Sequence, residues 1–421
     1  MKAIFGVTVR TTLARLSSVI LFAIVPVASH SAQAQTFHVL YNVAGGENGE
    51  LPNGGLAMDR AGNLYGTTAA GGAQDCDCGI VFTLKRSGQG WIFYPLHKFN
   101  GGSDGSYSQA RVVFGPDGAL YGTTAGGGYG YGTVYNLRPK PTACASAECP
   151  WNESVLYKFR GAPSDGYLPG CEVVFDHDGN LYGTTPRGGN YSNCDGVDNS
   201  CGAIFKMSPS NGGWMESLVY SFRGGDDGGN PYAGLTPDAA GNLYGTAPLY
   251  GKGGGGTVFQ LAPSGSGWVA STLYYFTIQS ENGYYPLSGL IFDSQGNLYG
   301  DTPYGGAGGA GTDFELTPSA YGWNFNLLYS FFGGESGPAG DLMMDRAGNL
   351  YGTAYSINSY GLVYKLTPSN GSWTYSVLHQ FNGQDGQGPN GAVIMDAQGN
   401  LYGTTFSGGT YGWGVVWEIT P

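Results

Sequence analysis

Asp59-Arg60-Ala61-Gly62-Asn63-Leu64-Tyr65-Gly66-Thr67-Thr68 is the stretch that decides the fold. Its core, GNLYG, starts at Gly62, Gly179, Gly241, Gly296, Gly348 and Gly399, and appears as GALYG at Gly118, at intervals of 51 to 62 residues. A period of that size marks a supersecondary unit that cannot bury its own faces and must stack on its neighbours. Three other features recur in step. A Trp lies five residues before a Leu/Val-Tyr/His-x-Phe segment, as in Trp151 with Leu156 to Phe159. A loop of the form G-G-x-D-G-x-x-P-x-x-G follows, as from Gly224 to Gly234, and after each GNLYG comes G-x-V-F-x-L, as from Gly256 to Leu261.

Each unit therefore reads as four short strands: a (Leu56–Asp59 in the first copy), b (Asn63–Thr68), c (Ile80–Leu84) and d (Trp91–Phe99). The a–b link, Asp-x-x-Gly-Asn, is a tight turn whose Gly takes positive φ. In strand d the Trp, Tyr/His and Phe fall at offsets 0, 6 and 8, which period-2 alternation puts on one face, expected to pack on the next blade. The Gly after Tyr in strand b leaves room for a neighbouring group. Four strands per unit, with aromatic and glycine marks in each, predict an all-β, seven-bladed β-propeller. The ends fit ring closure. A d-type strand (Phe37 to Val43) precedes the first a strand, and the chain stops after a c strand (Val415 to Ile419). The N-terminal strand is expected to complete the last blade as a velcro closure.

The G-N-L-Y-G-T-T segments, with G-x-V-F-x-L-T-P and L-Y-x-F-x-G-G around them, resemble the GloVer-type "choice-of-anchor" tandem repeat of exported bacterial proteins. The D-x-x-G-N-L-Y turn is also similar to turns of NHL and SBBP propeller repeats. The GloVer resemblance implies a propeller-type exported protein and assigns no settled activity. Many members end in a surface anchor, and since Pro421 directly follows a strand, none is expected here.

Residues 1–34 read as a signal peptide: Lys2, Arg10 and Arg15 precede an apolar run from Leu16 to Ala28, and Ala32-Gln33-Ala34 forms an A-x-A cleavage site. The expected organisation is a signal peptide over 1–34 and one propeller over 35–421, secreted or periplasmic and monomeric, with no later apolar run long enough to span a membrane. The net charge of −12 becomes −15 once those three cations leave. Such a surface repels phosphate backbones and excludes nucleic acid as a partner class, leaving glycans, extracellular proteins and cations. The 77 glycines are patterned, and 31 Tyr, 20 Phe and 8 Trp exclude a disordered chain. Seven cysteines in an exported protein suggest disulfides, expected at Cys144–Cys149 and Cys194–Cys201 as local loop staples. Pairing of Cys76, Cys78 and Cys171 stays open. The absence of any C-x-x-C pair argues against zinc.

The d–a and b–c loops should emerge on one face and form the ligand site. Tyr129, Tyr131, Tyr304, Tyr411 and Trp413 in the b–c loops are candidates to stack on sugar rings. The position before strand a is Gly in some copies and Arg111, Glu172 and Asp341 in three, so these should point into the channel mouth, with Arg111 and Glu172 close enough for an ion pair. In the fifth copy the Thr of strand b and the Val of strand c become Asp301 and Asp313. A symmetric hairpin sets them opposite one another, where two carboxylates must share a proton, bind a cation such as Ca²⁺, or receive a cation from a neighbouring blade. Catalysis by that pair is an alternative, set against the placement of strands b and c outside the channel-lining strand. Asp195 to Asn199 offers a second Ca²⁺ candidate. Gly306 to Gly311 spells G-x-G-x-x-G without the helix a dinucleotide site needs, and Lys252 lacks that helix too. No Ser-His-Asp set assembles. The resulting reading is a secreted binding module for carbohydrate or a protein partner, with a glycan-active lyase or hydrolase, or a structural envelope component, as alternatives.

Overall fold

Each GNLYG copy becomes the second strand of an antiparallel four-stranded blade. The computed structural model describes residues 35–421 apart from 89, 141–150, 192, 193, 195–199, 266, 333–336 and 356–357. In the first blade strands a to d are Ala57–Met58, Leu64–Thr68, Ile80–Ser87 and Gly90–Lys98, hydrogen-bonded in that order. Six further blades follow the same order, and together they form a seven-bladed β-propeller. The signal-peptide expectation, the Cys144–Cys149 pairing and the Asp195–Asn199 loop fall outside the described residues.

Closure occurs as the ends of the sequence require. Strand Thr36–Asn42 pairs antiparallel with Val415–Thr420, from Thr36 opposite Thr420 to Asn42 opposite Val415. That sheet continues through Leu401–Thr405 to Ile394–Met395, so the last blade takes its outer strand from the N-terminal side. The only helical turn among the described residues is Gly46–Asn48. No helix among the described residues is long and apolar enough to cross a membrane.

The a–b turn shows why Asp and Asn flank its Gly. Asp59 Oδ1 accepts the N–H groups of Ala61 and Asn63, and its Oδ2 accepts Asn63 Nδ2 and the Tyr65 hydroxyl. Gly62 between them has φ +80°. One side chain thus fixes the turn and the Tyr of the motif. The glycine after that Tyr faces a ring: a Cβ on Gly66 would lie 2.6 Å from Phe82, its direct cross-strand partner.

Strand d departs from the sequence expectation. In every blade it carries a β-bulge at offset 5 from the Trp position; in the first, Val81 pairs with His97 and Phe82 with Pro95, leaving Leu96 unpaired. Leu156, Val219, Leu273, Leu328, Leu378 and Leu40 are skipped in the same way. An extra residue flips every later side chain to the opposite face. The Trp therefore packs backwards, as Trp151 does on Tyr65 of the preceding blade. The Phe at offset 8 packs forwards, as Phe99 does on Tyr135 of the next. One strand grips both neighbours, and the shared-face reading of Trp, Tyr and Phe is corrected accordingly.

Candidate functional site

The Thr of strand b closes each blade junction near the channel. Thr67 Oγ1 donates to the carbonyl of Ala110 in the next blade at 2.9 Å. Thr123, Thr184, Thr246, Thr353 and Thr404 do the same to Cys171, Ala233, Ser288, Gly391 and Gly54. Each acceptor is the third residue before its strand a. The fifth blade has Asp301 in this position, and the matching acceptor is Gly340.

Asp301 lies directly opposite Asp313 in the b–c ladder, as expected. Among the described residues neither Arg nor Lys arrives to neutralise them. Tyr364 of the sixth blade donates its hydroxyl to Asp313 Oδ1 at 3.0 Å, and the second oxygen of each carboxyl is buried without a partner. Burial pushes Asp301 up to about 8 and Asp313 well above the usual carboxylate range, with Asp301 raising Asp313 further. Burial thus favours the neutral acid form of both. Among the described residues no three His, Cys, Asp or Glu side chains come together in a metal-binding group.

Asp301 also lines the central cavity, so the end of strand b reaches it, whereas Asp313 on strand c is fully buried and does not line it. Strand a is only two residues long, so it does not screen the end of strand b. The cavity holds about 450 Å³, and Arg111, Glu172 and Asp341 face it. Arg111 Nε and Nη2 both lie 2.6 Å from Glu172 Oε2, across the junction of the second and third blades. Glu172 keeps the guanidinium charged. Asp341, from the sixth blade, accepts the Gly289 N–H at 2.6 Å. Burial raises its pKa, the Glu172 carboxylate adds to that, and Gly289 and Arg111 oppose it. The same three side chains line a second cavity of about 390 Å³ deeper in the channel, so they form a charged collar between the two.

Around this cavity the d–a loop of each blade pairs with its own b–c loop, as Ser106 does with Gly126 and Tyr284 with Tyr304. Leu51, Tyr107, Leu168, Asn230 and Tyr285 occupy equivalent places there, all with φ between 58° and 61°. Their N–H groups bond to carbonyls of the preceding blade's b–c loop: Trp413, Cys78, Tyr131, Cys201 and Gly255. A left-handed backbone costs a non-glycine residue about 1–2 kcal/mol. In a chain with 77 glycines, five side chains are held at that cost; Tyr107 and Tyr285 are among the d–a loop tyrosines expected near the site, but the left-handed backbone of all five was not legible in the sequence. Only the following Pro, present in four of the five, hinted at a special backbone there.

The exposed rings divide into two kinds. Tyr131 and Trp413 lie over glycines: a Cβ on Gly161 would be 2.9 Å from Tyr131, and one on Gly45 would be 2.7 Å from Trp413. Their outer faces remain open to solvent. Tyr304 stacks on Tyr284 at 5.7 Å, with Tyr285 edge-on. Tyr129 and Tyr411 are freer, at 62% and 59% exposed. Cys194 and Cys201 form the expected disulfide, the sulfurs of Cys76 and Cys78 face one another, and Cys171 is a buried free thiol donating to the Tyr232 carbonyl.

The repeat has relatives. Residues 27–194 match the family model of the Gloeobacter/Verrucomicrobia repeat. That Gloeobacter/Verrucomicrobia segment contains the first three GNLYG-type copies, and the four later ones form the same strands. No curated protein matches the chain. Among solved structures, the extracellular domain of a hybrid two-component system protein from B. thetaiotaomicron superposes with a TM-score of 0.53 at 13% identity. The match covers 91% of this chain and 39% of that one. The periplasmic gluconolactonase of Pseudomonas aeruginosa matches with a TM-score of 0.47 at 15% identity, covering 77% and 84% of the two chains. Polysaccharide lyase Uly1 matches at 0.47 and 11%, covering 93% and 94%. At 13% identity the first of these likenesses is one of fold.

Proposed function

We propose that this protein is an exported binding module that takes neutral carbohydrate at the mouth of its central channel. The observation that carries this reading is the concentration of ordered, solvent-facing rings on the loop face around a polar cavity. Tyr107 and Tyr285 are held in left-handed backbone, and Tyr304 and Trp413 are braced against rings or glycine. Braced aromatic rings supply contact area at little entropic cost, and the cavity floor offers a guanidinium, carboxylates and carboxylic acids to ring hydroxyls. The acidic net charge favours a neutral ligand over an anionic one. A polysaccharide and glycan array tests this. Binding that is lost in Arg111→Ala or Trp413→Ala supports the reading, and an array without binders refutes it.

One observation favours a second reading, glycan hydrolysis. Asp301, whose pKa burial raises to about 8, lines one cavity with two further carboxyl groups, Glu172 and Asp341. A carboxyl whose pKa is raised by burial can serve as a general acid. Release of reducing ends from a bound polysaccharide, abolished by Asp301→Asn, would establish it.

A further inference from the structure

The outer faces of the blade junctions follow a rule that breaks at one place. The residue two positions after the Trp slot of strand d faces backwards and meets the Tyr or His at offset 6 of the preceding blade. At four junctions the pair is a parallel ring stack: Tyr41–Phe93 at 4.3 Å, Tyr274–Phe325 at 4.5 Å, Tyr329–Tyr375 at 4.4 Å and His379–Phe37 at 3.6 Å. Glu153 and Glu216 take the position at two more, against His97 and Tyr157. Burial lifts both glutamates to about 7, and each keeps a buried oxygen without a partner. At the junction of the third and fourth blades the position is Ala270. Among the described residues nothing stacks on Tyr220, and a cavity of about 400 Å³ stands there, bounded by Tyr220, Phe222, Phe259 and Ala270.

We infer that this slot is a second ligand site, separate from the channel mouth, and that it takes the ring of a neutral hexopyranose. Its wall is the vacated face of Tyr220, whose ring is held by its hydroxyl donating to Asp227 Oδ2 at 2.7 Å. Four sister junctions place the six-membered ring of Phe93, Phe325, Tyr375 or Phe37 in the equivalent space, so the slot has the depth and flatness for one ring. Its volume lies within the range of small-ligand pockets. The rim selects the class. Arg223, Asp226 and Asp227 border the opening. The Asp226 carboxylate lies 3.8 Å from Lys252 and is largely exposed. An apolar aromatic ligand would cover these charged groups without pairing them, at a cost in desolvation. A pyranose presents apolar C–H groups to Tyr220 and hydroxyls around its edge to the guanidinium and the carboxylates, which form the stronger, charge-assisted hydrogen bonds. The site does not depend on the reading of the channel mouth.

Ala270→Phe tests it by supplying the ring that the four sister junctions use. Saturation-transfer NMR with the methyl glycosides of glucose, galactose, mannose and N-acetylglucosamine is run on the intact protein, Ala270→Phe, Arg223→Ala and Arg111→Ala. At least one glycoside should bind the intact protein, lose tenfold or more in affinity in Ala270→Phe, weaken in Arg223→Ala and be unaffected by Arg111→Ala. Thermal melting of Ala270→Phe at or above the parent temperature establishes that the loss is local. If Ala270→Phe does not fold, Ala270→Leu and the exposed Arg223→Ala carry the same test. Binding that survives Ala270→Phe but vanishes in Arg111→Ala belongs to the channel mouth and overturns the second site. So does the absence of any glycoside binding. A 4-methylphenol probe that binds the slot where glycosides do not overturns the carbohydrate class.

Discussion

The Asp301–Asp313 pair makes folding of this protein consume protons. Unfolded, each is an ordinary carboxyl with a pKa of about 3.9. Folded, Asp301 sits at about 8 and Asp313 well above its usual range. Between those values the native state binds more protons than the unfolded chain, so this pair makes stability fall as pH rises. Its contribution is fully present below about pH 4 and is lost through about pH 8. One pKa unit corresponds to about 1.4 kcal/mol, so Asp301 alone weakens the fold at pH 7 by on the order of 4 kcal/mol relative to pH 4. The triple change Asp301→Thr, Asp313→Val, Tyr364→Phe installs residues that sister blades use and leaves no hydroxyl without its partner. The threonine hydroxyl is then placed to bond the Gly340 carbonyl, adding about 1 kcal/mol as the seventh junction clasp. Guanidinium unfolding at pH 4, 5.5, 7 and 8.5 reads the result. The variant should gain several kcal/mol at pH 7 and above, and most of that gain should vanish at pH 4. Equal pH slopes in the two proteins, or a variant less stable at pH 8.5, would refute the reasoning.

Deleting residues 35–44 removes the whole strand Thr36–Asn42 from the last blade and exposes Val415–Thr420, so cooperative unfolding should shift by 5 kcal/mol or so, against a total typical of domains; a truncated protein that melts like the parent contradicts the closure. Thr67→Val or Thr246→Val leaves a buried carbonyl of the next blade unpaired and should cost about 1–3 kcal/mol in chemical denaturation, whereas Thr317→Val, outside the junction, should be near neutral. Breaking Cys194–Cys201 with paired serines should lower stability by about 2.5 kcal/mol, the chain-entropy value for so short a loop, and non-reducing peptide mapping should recover the 194–201 linkage in the parent.

Much of this architecture was legible because each repeat writes its structure locally. The Asp59 to Tyr65 segment contains its own turn donors, acceptors and left-handed glycine, and the count of strand types at the two ends foretold the closure. The opposition of Asp301 and Asp313 followed from hairpin symmetry alone. The bulge in strand d could not be read this way. A skipped Leu looks the same as a paired one in a string of residues, and only pairing to strand c reveals that alternation changes phase there. For the same reason Ala270 looked like an ordinary strand residue until the face it occupies, and the Tyr220 ring left bare beside it, were known. Nor did the sequence tell that Asp301 reaches the channel, since that depends on strand a ending after two residues.

The five left-handed corners at Leu51, Tyr107, Leu168, Asn230 and Tyr285 are fixed by main-chain hydrogen bonds to the neighbouring blade. None of those bonds depends on the side chain carried at the corner. A leucine, a tyrosine or an asparagine is held at the same place and angle, and the backbone cost is met whichever is present. Asn230 is buried and donates its Nδ2 to the Pro186 carbonyl, but the other four corners form a set of interchangeable mounting points whose occupants can be replaced one at a time without disturbing the propeller. A library randomised at Leu51, Tyr107, Leu168 and Tyr285 should yield folded proteins at high frequency, and ligand preference should drift among them far faster than stability does.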